Sequence, residues 1–244
     1  MNKLLISTIF IFGFMNTNKS IAQTIHAVYK SYKSVVIQTE DGFSPNIAPL
    51  EFTCHFYRKG NRYISFNKPD YLKKYPEGRI TYSNPNVGAN FYGVYSLNMD
   101  TIININYKAL DSSIWRYTNY TNVSNEQKPY SFNFEPGFQQ WEILNETKAI
   151  GGLSCQRARL KYPDGQLGWD LWFCPDIQVE CGVSNIFGLP GLVVEANDLG
   201  ASTRYELQYY NVEETFSDEV FWPVLFNKPF VHRGTIKNRN KGSN

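Results

Sequence analysis

Phe187-Gly188-Leu189-Pro190-Gly191-Leu192-Val193-Val194-Glu195-Ala196-Asn197-Asp198-Leu199-Gly200, continued from Ser202 to Tyr209, decides the fold class. Pro190 presets φ at the second position of a turn, and Gly191 at the third matches the positive φ of a type II turn. A strand pattern leaves that turn: Leu192, Val194 and Ala196 share one face, and Val193, Glu195 and Asn197 the other. Asn197 to Gly200 is the next reversal. After it Thr203, Tyr205, Leu207 and Tyr209 alternate with Ser202, Arg204, Glu206 and Gln208. Period-two patterning of this kind predicts a hairpin in a half-exposed antiparallel sheet.

The preceding hairpin lays out in a single register. Asp164-Gly165 is a type I′ turn pair. With it as the loop, Tyr162 faces Leu167, Leu160 faces Trp169 and Ala158 faces Leu171. On the other face Arg159 meets Asp170, an opposite-charge pair worth about 0.2–1 kcal/mol, and Arg157 meets Trp172 in a cation–π contact.

Working outward, Leu50–Tyr57 alternates as a strand, and Arg58 to Asn61 turns it into Arg62–Phe66. Residues 69–87 are rich in Pro, Gly and Asn and read as loop. Phe91–Asn98 and Thr101–Lys108 read as a hairpin about Met99-Asp100. Ile25–Gln38 and Ser113–Tyr120 read as further strands. Ser217-Asp218-Glu219 begins one short helix through Phe226, limited by Pro223. The expectation is a mainly β, single domain of curved antiparallel sheet, an open barrel or sandwich, with one short C-terminal helix.

The first residues are a targeting segment. Lys3 precedes an apolar run from Leu4 to Met15, too short to span a bilayer, and Ser20-Ile21-Ala22 supplies small residues for cleavage. Residues 1–22 are therefore expected to be a signal peptide and 23–244 the β-rich domain, roughly 220 residues, enough to bury a real core. No later apolar run reaches membrane-span length. A net charge of +2 lacks the excess of a nucleic-acid binder. Seventeen Tyr, 17 Phe and 5 Trp suit aromatic ladders across strands.

Trp141 to Val194 resembles the GLPGLI family of exported Bacteroidetes proteins. Gly188-Leu189-Pro190-Gly191-Leu192-Val193 nearly spells the family's tag, with Val193 for the final Ile. Trp141, Thr147-Lys148, Ile150-Gly151, Cys155 and Ala158 fit the upstream block, and Trp172-Phe173 with Pro175-Asp176-Ile177 fits the following one. Gly182-Val183 departs from a Gly-Pro, and Cys174 replaces a Thr. The resemblance implies an exported β protein of the periplasm or outer membrane, with an outer-membrane transporter as partner. It implies no reaction. Four cysteines in an exported chain suggest two disulfides. Cys174 and Cys181 are additions to the family pattern, which implies Cys174–Cys181 and, by remainder, Cys54–Cys155. The hairpin register competes, placing Cys155 opposite Cys174.

The motifs for chemistry are sparse. The three histidines, His26, His55 and His232, show no metal-ligand spacing. No nucleophile elbow occurs. His55 follows Cys54, but neighbours in a strand point to opposite faces. Asp170, Asp176 and Glu195 read as salt-bridge or turn residues, and Glu213-Glu214 and Asp218-Glu219 as solvated charges. The expected function is non-catalytic: binding of a protein partner, or of an apolar ligand on a sheet face lined by Leu160, Trp169, Leu171, Leu192 and Tyr205, with Trp172 as a further candidate binding residue. Neither cofactor nor metal is expected. The alternatives are a hydrolase built from carboxylates and His55, and a structural subunit of the envelope.

Overall fold

The computed structural model describes residues 24–88, 92–121, 126–161 and 167–237. The segment expected to be a signal peptide, the expected Asp164-Gly165 turn and the last seven residues lie outside them. The strands are β1 (Thr24–Lys33), β2 (Leu50–Lys59), β3 (Arg62–Pro69), β4 (Arg79–Ser83), β5 (Tyr92–Ser96), β6 (Ile103–Ala109) and β7 (Ile114–Thr121). They continue as β8 (Glu126–Phe134), β9 (Trp141–Ile150), β10 (Leu153–Lys161), β11 (Leu167–Cys174), β12 (Leu192–Asp198), β13 (Thr203–Val212) and β14 (Val231–Ile236). Twelve of them form one curved sheet in the order β14-β8-β7-β6-β3-β2-β1-β13-β12-β11-β10-β9, and β4 and β5 pair separately. The sheet is antiparallel except where β14 runs parallel to β8, and it does not close into a barrel.

Alternation sorts side chains onto an inner and an outer face. The inner face carries Ile25, Ala27 and Tyr29 of β1, Cys54 and Phe56 of β2, and Ala158, Leu160, Trp169, Leu171 and Phe173 of the β10–β11 hairpin, all in one core. On the outer face Ile64, Phe66 and Ile105 pack under Phe221 and Phe226 of the C-terminal crossing segment.

Several local expectations agree with the structure. Gln156↔Phe173, Arg157↔Trp172, Ala158↔Leu171 and Arg159↔Asp170 are paired in the expected register, which shifts beyond Arg159. Asp170 accepts from Arg157 at 2.6 Å and Arg159 at 3.2 Å, and the Arg157 guanidinium lies 5.9 Å from the Trp172 ring centre.

Others are corrected. The pattern 92–108 is not a hairpin: β5 pairs with β4, inside the stretch read as loop, and β6 lies between β3 and β7. Apolar residues from both segments, Leu97 and Ile103, still meet, but in a cluster with Phe52 and Tyr71. The C-terminal helix is two 3-10 turns, Asp218–Phe221 and Val224–Asn227, interrupted at Trp222-Pro223. Ser217 does cap the first, accepting from Glu219 N. Bulges break two alternations. Val194 is the extra residue opposite the Trp172/Phe173 step, so Leu192 and Val193 both join the inner core while Val194 packs elsewhere. A shift at Val28/Tyr29 opposite β13 leaves Tyr205 inside and brings Tyr209 edge-on to His26. All four cysteines are free and buried. Cys54 and Cys181 belong to the inner core, Cys155 and Cys174 to a separate cluster. The Cys174–Cys181 and Cys54–Cys155 bonds are thus not formed, because the fold sends the members of each pair to different clusters.

Candidate functional site

The connection between β11 and β12, residues 175–191, folds back into the concave face as a plug. Val179, Cys181, Val183, Ile186, Phe187 and Leu189 are at most 3% exposed. A buried loop needs partners for its backbone polar groups, and the sheet supplies them. Lys108, itself buried, donates to the carbonyls of Gly182 at 2.7 Å and Ile186 at 2.9 Å, with its ammonium 4.6 Å from the Phe187 ring centre. Burial pushes that amine down to about 8, against the opposing pull of Cys181 and Cys54. Trp141 Nε1 donates to Phe187 O at 2.7 Å, and Trp169 Nε1 to Asn185 Oδ1 at 3.0 Å. Arg58 Nη1 reaches Gln178 O at 2.9 Å.

The Gly-Leu-Pro-Gly-Leu stretch ends this plug, but not as a type II turn. Gly191 N donates to Leu189 O at 2.9 Å, closing a three-residue turn about Pro190. The positive φ, +69°, belongs to Gly188. Gly191 is required for another reason: a Cβ there would sit 2.4 Å from Cys174 O. The motif therefore seats the plug against β11.

The plug fills the apolar inner face and leaves a polar hollow at one end of it. This hollow of about 150 Å³ is lined by Lys33, Phe52, Asn67, Asn104, Trp169, Ser184, Asp198, Ala201, Thr203 and Tyr205. A groove of about 450 Å³ adjoins it, sharing Lys33, Phe52 and Asn104. Three of the non-glycine residues with left-handed backbone cluster here: Asn104 (φ 53°) and Ser184 (53°) in the lining, and Ser202 (50°) between Ala201 and Thr203. Such conformations cost about 1–3 kcal/mol each and concentrate at binding and catalytic sites. Burial raises the Tyr205 phenol above its ordinary range, Cys54 adds to this, and the side chains of Asn67, Ser184 and Ser31 pull the other way. Ser31 Oγ is fully buried near that phenol without completing a hydrogen bond of normal geometry.

A second polar constellation lies on the outer face. His26 of β1 pairs with Tyr57 of β2, and Val28 with His55, so the two imidazoles are diagonal neighbours. His26 Nδ1 meets Glu214 Oε1 at 2.9 Å, and its Nε2 meets His55 Nδ1 at 3.3 Å. The Tyr57 ring stacks on His26 at 4.3 Å. Burial, with Lys68 and His26 nearby, pushes His55 down to about 4, so it is neutral near pH 7. These residues line neither the hollow nor its adjoining groove. Cys54 points to the inner face, and burial drives its thiol far up, so it supplies no nucleophile to His55.

Of the sequence-derived binding residues, Trp169 and Tyr205 meet at the hollow, while Leu192 is buried core. Trp172 stands apart on the outer face, under Lys148 at 4.4 Å. Asp170 is held by two arginines and Glu195 by Lys148 at 2.8 Å. Asp176 is exposed. Sequence reasoning missed Asn67, Asn104, Ser184 and Asp198, which come from four separate segments. It also missed His26 and Glu214 as partners, 188 residues apart. Period-two phase alone places His26 and His55 on an outer face, but only the β1–β2 register brings them together. Among the described residues no group of three or more His, Cys, Asp or Glu is arranged to hold a metal ion, and no helix is long and apolar enough to cross a membrane.

No protein-family profile matches this chain, and no curated protein matches it in sequence. Among solved structures it is similar to PNGF-II at 15% identity and a TM-score of 0.48, over 87% of this chain and 32% of that one. The chain thus spans about a third of that protein's length. An uncharacterized conserved protein from Thermus thermophilus matches at 6% identity and a TM-score of 0.40, over 87% of this chain and 92% of that one. A DUF1329 family protein from Desulfovibrio piger matches at 9% identity and a TM-score of 0.26, over 83% and 90%. These likenesses carry no functional argument.

Proposed function

We propose that this is an exported, non-catalytic binding protein of GLPGLI type, in the periplasm or at the outer membrane, that takes a polar group of a ligand or partner into the hollow at the end of the inner face. One observation carries this reading. Beside the plug, Asn67, Asn104, Ser184, Asp198, Thr203 and Tyr205 converge on one hollow, and there the backbone of Asn104 and Ser184 is held in left-handed conformations. The plugged face argues against an apolar ligand, since Trp169, Leu171 and Leu192 already bury one another. Concave sites with few, fixed polar groups suit recognition. An outer-membrane transporter as the source of that polar group rests on the family resemblance alone.

The test is co-purification from native envelopes with wild type and Ala201→Trp, whose indole would fill the hollow from an exposed position. A bound molecule or stoichiometric partner present with wild type and lost with the variant supports the reading. Equal recovery by both overturns the site.

The Glu214–His26–His55 row favours a second reading, acid–base catalysis, because a carboxylate orients one imidazole toward another. Turnover of model esters or amides that is abolished by His55→Gln, with folding intact, would establish it.

A further inference from the structure

The β10–β11 register runs Gln156↔Phe173, Arg157↔Trp172, Ala158↔Leu171 and Arg159↔Asp170. Continued one step outward, this register sets Cys155 opposite Cys174, and the two do share one buried cluster. Directly opposed residues of an antiparallel pair have Cα atoms about 4.5–5.5 Å apart. That lies inside the window of about 4.4–6.8 Å that a disulfide spans. Both side chains are 1% exposed and share a small cluster with Val194, packed by Ile150, Leu153 and Trp172. Burial, and next the neighbouring Cys174, raises the Cys155 thiol to about 11. The other two cysteines differ in setting. Cys54 and Cys181 belong to the inner core, where burial raises both thiols and the Lys108 ammonium opposes it.

We infer that Cys155 and Cys174 are an oxidation site, closed as a cross-strand disulfide by thiol–disulfide exchange with a disulfide donor of the exporting compartment, for which glutathione disulfide stands in the test. A thiolate of the pair attacks the donor disulfide and releases one donor thiol. The second cysteine, losing its proton, attacks the mixed disulfide and releases the other. The pair loses two electrons and two protons, and the donor becomes two thiols. The high thiol pKa makes exchange slow once the cluster is packed, since the thiolate is the nucleophile. The bond therefore closes while β10 and β11 are pairing. It staples the two strands next to the free edge at β9, which is half-exposed or exposed along its whole length. The occurrence of this bond in the cell rests on the export reading; the pairing itself rests on the register.

The experiment has two arms. In one, the chain is isolated from native envelopes with free thiols alkylated. In the other, the chain is made reduced and refolded with glutathione and glutathione disulfide. Both are cut without reduction by trypsin and a Glu-specific protease, because Glu180 separates Cys174 from Cys181. A linked Cys155–Cys174 peptide, two hydrogens lighter than its reduced parts, is expected in both arms. Linkage in the glutathione arm alone upholds the pair and overturns the export reading. Absence from both arms, or linkage of Cys174 to Cys181, overturns the inference.

Discussion

Substituting the two glycines of the plug's end separates two reasons for glycine. At Gly191 the backbone suits any residue, but a Cβ would lie 2.4 Å from Cys174 O and 2.8 Å from both Cys174 C and Phe173 Cδ2. Two of those atoms are backbone of a central hairpin strand and cannot rotate away. The start of β12 must retreat by roughly half an ångström or more, which opens the seam between plug and β11. Overpacking of this kind costs typically about 1–3 kcal/mol, occasionally more, and a backbone clash places Gly191→Ala at about 3 kcal/mol or above. At Gly188 the situation is reversed. Its nearest added contact is Gln139 O at 3.9 Å, but its φ is +69°. A left-handed alanine costs about 1–2 kcal/mol, and asparagine, which tolerates that region, costs less. Equilibrium urea unfolding of wild type, Gly191→Ala, Gly188→Ala and Gly188→Asn reads these values from the midpoints at constant slope. The expected order of damage is Gly191→Ala, then Gly188→Ala, then Gly188→Asn. If Gly188→Ala proves worse than Gly191→Ala, the close-approach account of the motif is refuted.

Lys108→Met leaves the Gly182 carbonyl without its charged donor and is expected to cost about 1–3 kcal/mol. Because the folded amine sits near 8 and the unfolded one at its ordinary 10.5, the unfolded state binds more protons between those values. Stability from this group therefore rises with pH across that window, so the gap between wild type and Lys108→Met should widen from pH 8 to 10.5 in urea titrations; a constant gap refutes the assignment. His55 is also depressed, from 6.5 to about 4. Its stabilising contribution is complete above 6.5 and is lost as pH falls toward 4, a slope that should be absent in His55→Gln followed by the same method. Asp170→Asn removes the partner of both Arg157 and Arg159 and should cost about 1–2 kcal/mol by thermal or urea unfolding, more than Arg159→Gln alone.

Much of the β architecture was legible because half-buried strands write their burial into alternate residues. The β10–β11 register from Gln156 to Arg159 followed from signals local in sequence, Ala158 facing Leu171 and Arg159 facing Asp170. The expected Tyr162–Leu167 pairing did not hold, because the register shifts beyond Arg159 and Leu167 pairs with Lys161. The β12–β13 hairpin followed in the same way, up to its bulges. A bulge adds a residue on one strand only and shifts the phase, as at Val194, and no single strand's pattern records what its neighbour does. The same limit explains β5: a strand of alternating Tyr, Val and Gly shows that it pairs, but not that its partner is β4.

The sequence by itself determined that the chain is a sheet protein with reversals near residues 60 and 199 and with Trp169 and Tyr205 pointing the same way. Only the tertiary structure decided that residues 175–191 turn inward to fill that sheet, that Lys108 holds them there, and that the polar remainder lies between Asn67, Asn104, Ser184 and Asp198. The physical reason is range. Alternation and turn chemistry act over a few residues, whereas a plug, a buried ammonium and the Glu214–His26 contact join groups that meet only once the strand order exists.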